Sequence, residues 1–141
     1  PPPPRIVTDV TDEPFRVIVV EDDEDVALYV QTILHRRLPC EVKVLASADG
    51  YEALESEFDP DVVITDLELP GRGGFELLGD IRARRSDLAV VIMTAHAGGE
   101  YAERARREGA NDYLAKPLSS KDLVAIVERL ARGRRERPAV E

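Results

Sequence analysis

The sequence predicts a doubly wound α/β sandwich, a five-stranded parallel sheet with helices on both faces. Short β-branched apolar runs alternate along the chain with stretches whose apolar residues recur every three and four positions. The runs themselves carry no polar alternation, which is what parallel strands buried on both faces require. Right-handed crossovers then lay the helices on either side of the sheet. Size agrees: 141 residues, 43% of them hydrophobic, make one ordinary domain with terminal extensions and exclude wholesale disorder.

Taken in order, Pro1 to Pro14 opens with four prolines and continues with Thr, Asp and Glu, so residues 1–14 read as a disordered Pro-rich leader. The first strand is Val17-Ile18-Val19-Val20. A first helix follows on the spacing Val26, Val30, Ile33, Leu34, with His35 in its arginine-flanked last turn, where a cation suits the helix dipole. Strands two to four are Val42-Lys43-Val44-Leu45, Val62-Val63-Ile64 and Val90-Val91-Ile92, and Asp112-Tyr113-Leu114-Ala115 is a weaker fifth. The fourth helix, around Gly98 to Glu108, has only Tyr101, Ala102 and Ala105 as an apolar stripe, so it is expected to be the element most easily moved. The last helix carries Leu123, Ile126, Val127 and Leu130. Gly133 and Pro138 are stop signals that make residues 133–141 a tail or linker with solvated arginines. The folded unit is therefore residues 15–132.

Composition narrows the function. Lys+Arg 19 against Asp+Glu 28 gives a net charge of -9, with none of the basic footprint that sequence-independent nucleic-acid binding needs. Cys40 is the only cysteine, so neither an intrachain disulfide nor a thiolate zinc site can form, and a reducing cytoplasm is the expected compartment. The longest apolar stretch, Leu88 to Met93, is far short of the roughly 20 residues that span a bilayer, and no membrane association is expected.

Open parallel sheets bind ligands outside the carboxyl ends of their strands, where the strand order reverses. Glu21-Asp22-Asp23-Glu24-Asp25 follows strand one, Asp66 follows strand three, Thr94 follows strand four and Lys116-Pro117 follows strand five. If the strand order is 2-1-3-4-5, Glu21, Asp22 and Asp66 converge, and Thr94 and Lys116 close the pocket from the other side. Crowded carboxylates must protonate or recruit a cation. An all-oxygen set with few protein ligands suits Mg²⁺. A cation beside Asp66 makes that carboxylate a plausible nucleophile toward phosphorus, with Thr94 and Lys116 donating to the phosphoryl oxygens. Asp23 to Asp25 suit a helix N-terminus equally well.

Four segments, Val19-Val20-Glu21-Asp22-Asp23, Thr65-Asp66-Leu67-Glu68-Leu69-Pro70-Gly71, Ile92-Met93-Thr94-Ala95 and Gly109 to Leu118, occur in this order. Together they resemble the receiver domain of two-component response regulators over nearly all of residues 15–132. The resemblance implies the flavodoxin-like, CheY-like (βα)5 fold. It also implies a signalling domain, not an enzyme beyond its own phosphorylation and dephosphorylation.

Carried over residue by residue, Asp66 corresponds to the phosphoacceptor. Mg²⁺ would be bound by Asp22, Asp66 and the backbone carbonyl of Glu68, with Glu21 acting through water. Thr94 corresponds to the switch hydroxyl, Tyr113 to the switch aromatic and Lys116 to the family's lysine, and the peptide before Pro117 is expected to be cis. Glu68 and His96 stand where the family tunes phosphoryl lifetime. Gly73 departs from a commonly polar or acidic position and is expected to loosen its loop; Leu118 replaces a frequent aromatic.

The implied partners are a sensor histidine kinase or phosphotransfer protein and an output domain or effector, attached at the leader or tail. A homodimer through the fourth helix, fifth strand and fifth helix is common in the family. Two other readings compete. Asp23-Glu24-Asp25 has the D-x-D spacing of aspartyl-phosphate phosphohydrolases, but without the usual glycine and threonine after it. A flavodoxin-like ligand binder would need a Gly, Ser and Thr phosphate loop after strand one, which this chain lacks.

Overall fold

All five β-branched runs form strands in the computed structural model, which describes residues 13–96 and 98–136. The order is β1 (Phe15–Val20), α1 (Glu24–Arg37), β2 (Cys40–Leu45), α2 (Tyr51–Phe58), β3 (Val62–Asp66), α3 (Gly74–Arg84), β4 (Ala89–Thr94), α4 (Gly99–Arg107), β5 (Asp112–Ala115) and α5 (Ser120–Glu136). The strands make one parallel sheet in the order β2-β1-β3-β4-β5.

Side chains alternate across a strand, so each buried run feeds two cores. Val17 and Val19 of β1, Ile64 of β3 and Val91 and Met93 of β4 pack with Leu34 of α1 and Leu123 and Val127 of α5. Ile18 and Val20, Val63, Val90 and Ile92 point the other way, against Tyr51 of α2, Leu77, Leu78 and Ile81 of α3 and Ala105 of α4. Ala105 is the one buried residue of α4, as its sparse apolar stripe leads one to expect.

Two expectations are corrected. The β2 run is not buried on both faces: β2 is an edge strand paired only with β1, and Glu41, Lys43 and Val44 are exposed. The chain is also still helical at Gly133, and α5 continues to Glu136. A glycine inside a helix costs about 1 kcal/mol relative to alanine. Here Arg134 and Arg135 lie beyond it, and both reach the fully buried Asp61 at the start of β3. Asp61 Oδ1 accepts from Arg134 Nη1 at 2.8 Å and Arg135 Nε at 3.0 Å, and Oδ2 accepts from Arg135 Nη2 at 2.7 Å and the Arg16 N–H at 2.9 Å. Arg135 donates as well to the carbonyls of Glu13 and Pro14. These charge-assisted bonds outweigh the glycine. Arg134 and Arg135 are thus structural parts of the domain, not solvated linker. Most of the predicted leader (residues 1–12) and residues 137–141 of the predicted tail lie outside the described residues.

Candidate functional site

Parallel register carries the chemistry to one edge of the sheet. Val20 of β1 lies beside Thr65 of β3, Asp66 beside Met93 of β4, and Thr94 beside Ala115 of β5. The residues that follow these strands therefore emerge together. Glu21 N–H donates to the Leu45 carbonyl, Leu67 N–H to Met93 and Lys116 N–H to Thr94, which prolongs the ladder to the site itself.

Glu21, Asp22 and Asp66 can each bring a carboxylate oxygen within 4.8 Å of the others. Their surroundings differ. Glu21 is 1% exposed and both of its oxygens are engaged: Oε1 accepts from Lys116 Nζ at 2.8 Å and Oε2 from the Asp23 N–H at 3.0 Å. Burial, with the neighbouring Asp66 charge, pushes the Glu21 carboxyl above the usual carboxylate range, although the bonds from Lys116 and Asp23 oppose it. Asp66 is nearly buried, and its Oδ2 lies 3.3 Å from Lys116 Nζ. Burial works against the Lys116 ammonium, but Glu21 and Asp66 more than offset it and raise its pKa. Asp22 is exposed. Three carboxylates against one ammonium leave a net negative, all-oxygen donor set, which fits a hard divalent cation.

Asp23 stands apart from this set as the N-cap of α1, its Oδ1 accepting from the N–H groups of Asp25 and Val26. Glu24 and Asp25 occupy the first helical turn, where acids complement the helix dipole, so the D-x-D spacing is spent on capping.

On the far side of the pocket, the buried Thr94 hydroxyl accepts from the His96 N–H at 3.0 Å and keeps its own proton to donate. The His96 carbonyl accepts from Tyr113 Oη at 2.5 Å, and the imidazole stacks on Tyr101 of α4 with centroids 4.7 Å apart. His96 Nε2 also pairs with Glu68 Oε2. The two positions singled out for phosphoryl lifetime are therefore in direct contact, and His96 links the loop after Asp66 to Thr94, Tyr113 and α4. The Lys116-Pro117 peptide is cis. Beside the pocket opens a groove of about 330 Å³ lined by Asp25, Val26, Tyr29, Lys116, Pro117 and Leu118.

One residue of the loop that follows Asp66 had no signal in the sequence. Arg72, in the loop between β3 and α3, makes four hydrogen bonds to Glu52, Asp80 and the Ala48 carbonyl. An arginine among glycines reads as an ordinary surface charge, and its partners lie in other segments. The loop that Gly73 was expected to loosen is anchored by this neighbour.

Comparison with known proteins shows the family. The family model for the response regulator receiver domain matches residues 17–128. The DNA-binding transcriptional regulator NtrC of Escherichia coli (strain K12) is 40% identical over 114 residues, covering 80% of this chain and 24% of that protein. The transcriptional regulatory protein PdtaR of Mycobacterium tuberculosis (strain CDC 1551 / Oshkosh) is 35% identical over 130 residues, covering 91% of this chain and 62% of that protein. The chain thus spans only part of these relatives, about a quarter of NtrC. Among solved structures, the receiver domain of NtrX from Brucella abortus superposes with a TM-score of 0.77 at 30% identity, covering 82% of this chain and 98% of that one. The phosphohydrolase and flavodoxin-like ligand-binder readings are set aside. The match runs through the strands that carry Asp66, Thr94 and Lys116 to one edge, and the chain belongs to the response regulator receiver domains of two-component systems.

Proposed function

We propose that Asp66 accepts a phosphoryl group from a phosphohistidine of a sensor histidine kinase or phosphotransfer protein. A carboxylate oxygen of Asp66 attacks phosphorus, the phosphorus–nitrogen bond breaks, and the imidazole departs. The observation that carries this reading is the convergence of Glu21, Asp22 and Asp66, with the Lys116 ammonium shared by Glu21 and Asp66.

A Mg²⁺ ion would be held by Asp22, Asp66 and the Glu68 carbonyl, with Glu21 through water, and would neutralise charge on the phosphoryl oxygens. Glu21 suits an indirect role because its oxygens are already occupied by Lys116 and the Asp23 N–H. Lys116, charged and shared between Glu21 and Asp66, donates to a phosphoryl oxygen as negative charge moves onto it. Thr94 donates its hydroxyl proton to another. A partner would approach over the groove that Lys116, Tyr29 and Leu118 line.

The switch follows from the same contacts. Movement of Thr94 toward the phosphoryl group disturbs its bond with His96, and with it the Tyr113 hydroxyl and the Tyr101 stack. The signal then reaches the face of α4, β5 and α5. There an output domain or effector, or a second copy of the chain, would read it. Such a role belongs to the cytoplasm, where the phosphodonor partner acts.

The test is intact mass after incubation with Mg²⁺ and a small phosphodonor such as acetyl phosphate. The wild-type protein gains one phosphoryl group, and Asp66→Ala gains none. No adduct on the wild type, or an undiminished one on Asp66→Ala, overturns the proposal.

A further inference from the structure

The loop from Leu67 to Gly73 carries the Glu68 carbonyl and contains Pro70, Gly71 and Gly73, with Gly71 in the left-handed region at φ 75°. Backbone bonds hold its ends: Leu67 N–H donates to the Met93 carbonyl and Gly74 N–H to the Leu67 carbonyl, both at 2.9 Å. Between these ends glycine offers little restraint.

Arg72 provides it. Its Nη1 lies 2.6 Å from Glu52 Oε2 and 2.7 Å from Asp80 Oδ2; its Nη2 lies 2.9 Å from Glu52 Oε1 and 2.6 Å from the Ala48 carbonyl. One planar group thus ties the loop to the turn before α2, to α2 itself and to α3. The side chain is only 21% exposed. Hydrogen bonds from Arg72 hold the Glu52 carboxyl down at about 2, so the pair stays charged at any working pH. The bidentate pairing with Glu52 needs the guanidinium fork, which a lysine ammonium lacks.

We propose that Arg72 is a positioning residue for divalent-cation binding: its fork, anchored on Glu52, Asp80 and Ala48, holds the Asp66–Gly73 loop so that the Glu68 carbonyl faces the Asp22 and Asp66 carboxylates. This rests on the Mg²⁺ reading of the site proposed above. The carbonyl takes its direction from the loop backbone, which is held at Glu68 by the side-chain pairing with His96 and at Arg72 by this fork. Groups that orient a ligand from behind typically contribute about tenfold or more to metal affinity.

The experiment titrates Mg²⁺ alone, without phosphodonor, into the wild type, Arg72→Ala, Arg72→Lys and Glu52→Ala, following the backbone amide signals of residues 66–69 and 71–74 by NMR. Arg72→Ala raises the Mg²⁺ dissociation constant about tenfold, Glu52→Ala raises it as well with the loop sequence intact, and Arg72→Lys recovers less than half of the lost affinity. A purely structural arginine would lower the melting temperature and leave the Mg²⁺ constant within twofold of wild type in the folded variants, which overturns the inference. Glu52→Ala alone decides the matter if Arg72→Ala does not fold. Failure is separable: a wild type that neither responds to Mg²⁺ nor gains phosphate removes both proposals. A wild type that does both, beside variants with unchanged Mg²⁺ affinity, removes only this one.

Discussion

Glu68 and His96 meet side chain to side chain, two residues beyond Asp66 and two beyond Thr94. Each is a partner that the other's sequence neighbourhood gives no reason to expect. At 69% and 41% exposure the pair contributes less than about 1 kcal/mol to folding, because solvent screens it. Its consequence lies in the chemistry next to it. The pair joins the loop after β3 to the loop after β4, and if Asp66 is phosphorylated as proposed, that link should slow the approach of water to it.

Glu68→Ala and His96→Ala should therefore shorten the life of the phosphoryl group on Asp66 by roughly fivefold, about 1 kcal/mol of barrier. The double variant should be no faster than either single one, since each removes the same contact. Decay of the phosphorylated protein, followed by mass after the phosphodonor is removed, measures this. Additive effects of the two substitutions would show that the residues act separately.

Gly74 opens α3 against the backbone of Asp66: a Cβ there would stand 2.4 Å from the Asp66 carbonyl oxygen and 2.8 Å from Leu67 Cα. Neither atom belongs to a flexible side chain. Gly74→Ala is expected to cost about 2 kcal/mol or more, with weaker phosphorylation of the displaced Asp66. Gly73→Ala meets only the Leu67 carbonyl oxygen at 3.4 Å, with φ at -80°, and should stay within about 0.5 kcal/mol of wild type. Urea denaturation of the two variants tests the contrast, and equal midpoints would contradict it.

Asp61 gives the domain an acid-sensitive joint at the opposite end of the sheet. Burial works to raise its pKa, but hydrogen bonds from Arg135, the Arg16 N–H and Arg134 prevail and hold it below its ordinary 3.8. A carboxyl depressed in the folded state stabilises the fold above its unfolded pKa, and that contribution disappears as pH falls through the lower folded value. Asp61→Asn should lose about 3 kcal/mol at pH 7, because two arginines are left facing a neutral group. The gap from wild type should begin to narrow below about pH 3.8 and close as pH falls through the lower folded value. Denaturant midpoints at pH 7 and pH 3 measure it, and curves that stay parallel over that interval would refute the assignment.

Much of the site was legible before the structure. Val17 to Val20, Val62 to Ile64 and Val90 to Ile92 announce buried parallel strands, and parallel strands end at one edge, so Glu21, Asp22, Asp66, Thr94 and Lys116 fall together once the strand order is 2-1-3-4-5. The edge position of β2 was legible only in the alternation of Glu41 and Lys43 with Val42 and Val44, which the apolar character of the run masks. The helical run through Gly133 was hidden for a different reason. Its support comes from Asp61, 73 residues away in the chain.

The sequence by itself determined the order of strands and helices, the residues at each strand's carboxyl end and the acidic character of the pocket, because these follow from local periodicity and from the rules of parallel crossovers. Tertiary structure alone decided which charges are spent on one another. Lys116 divides itself between Glu21 and Asp66, His96 takes Glu68, Arg72 takes Glu52 and Asp80, and Arg134 and Arg135 take Asp61. Such pairings join segments with no shared period and depend on distances of a few ångströms, which only the folded chain sets.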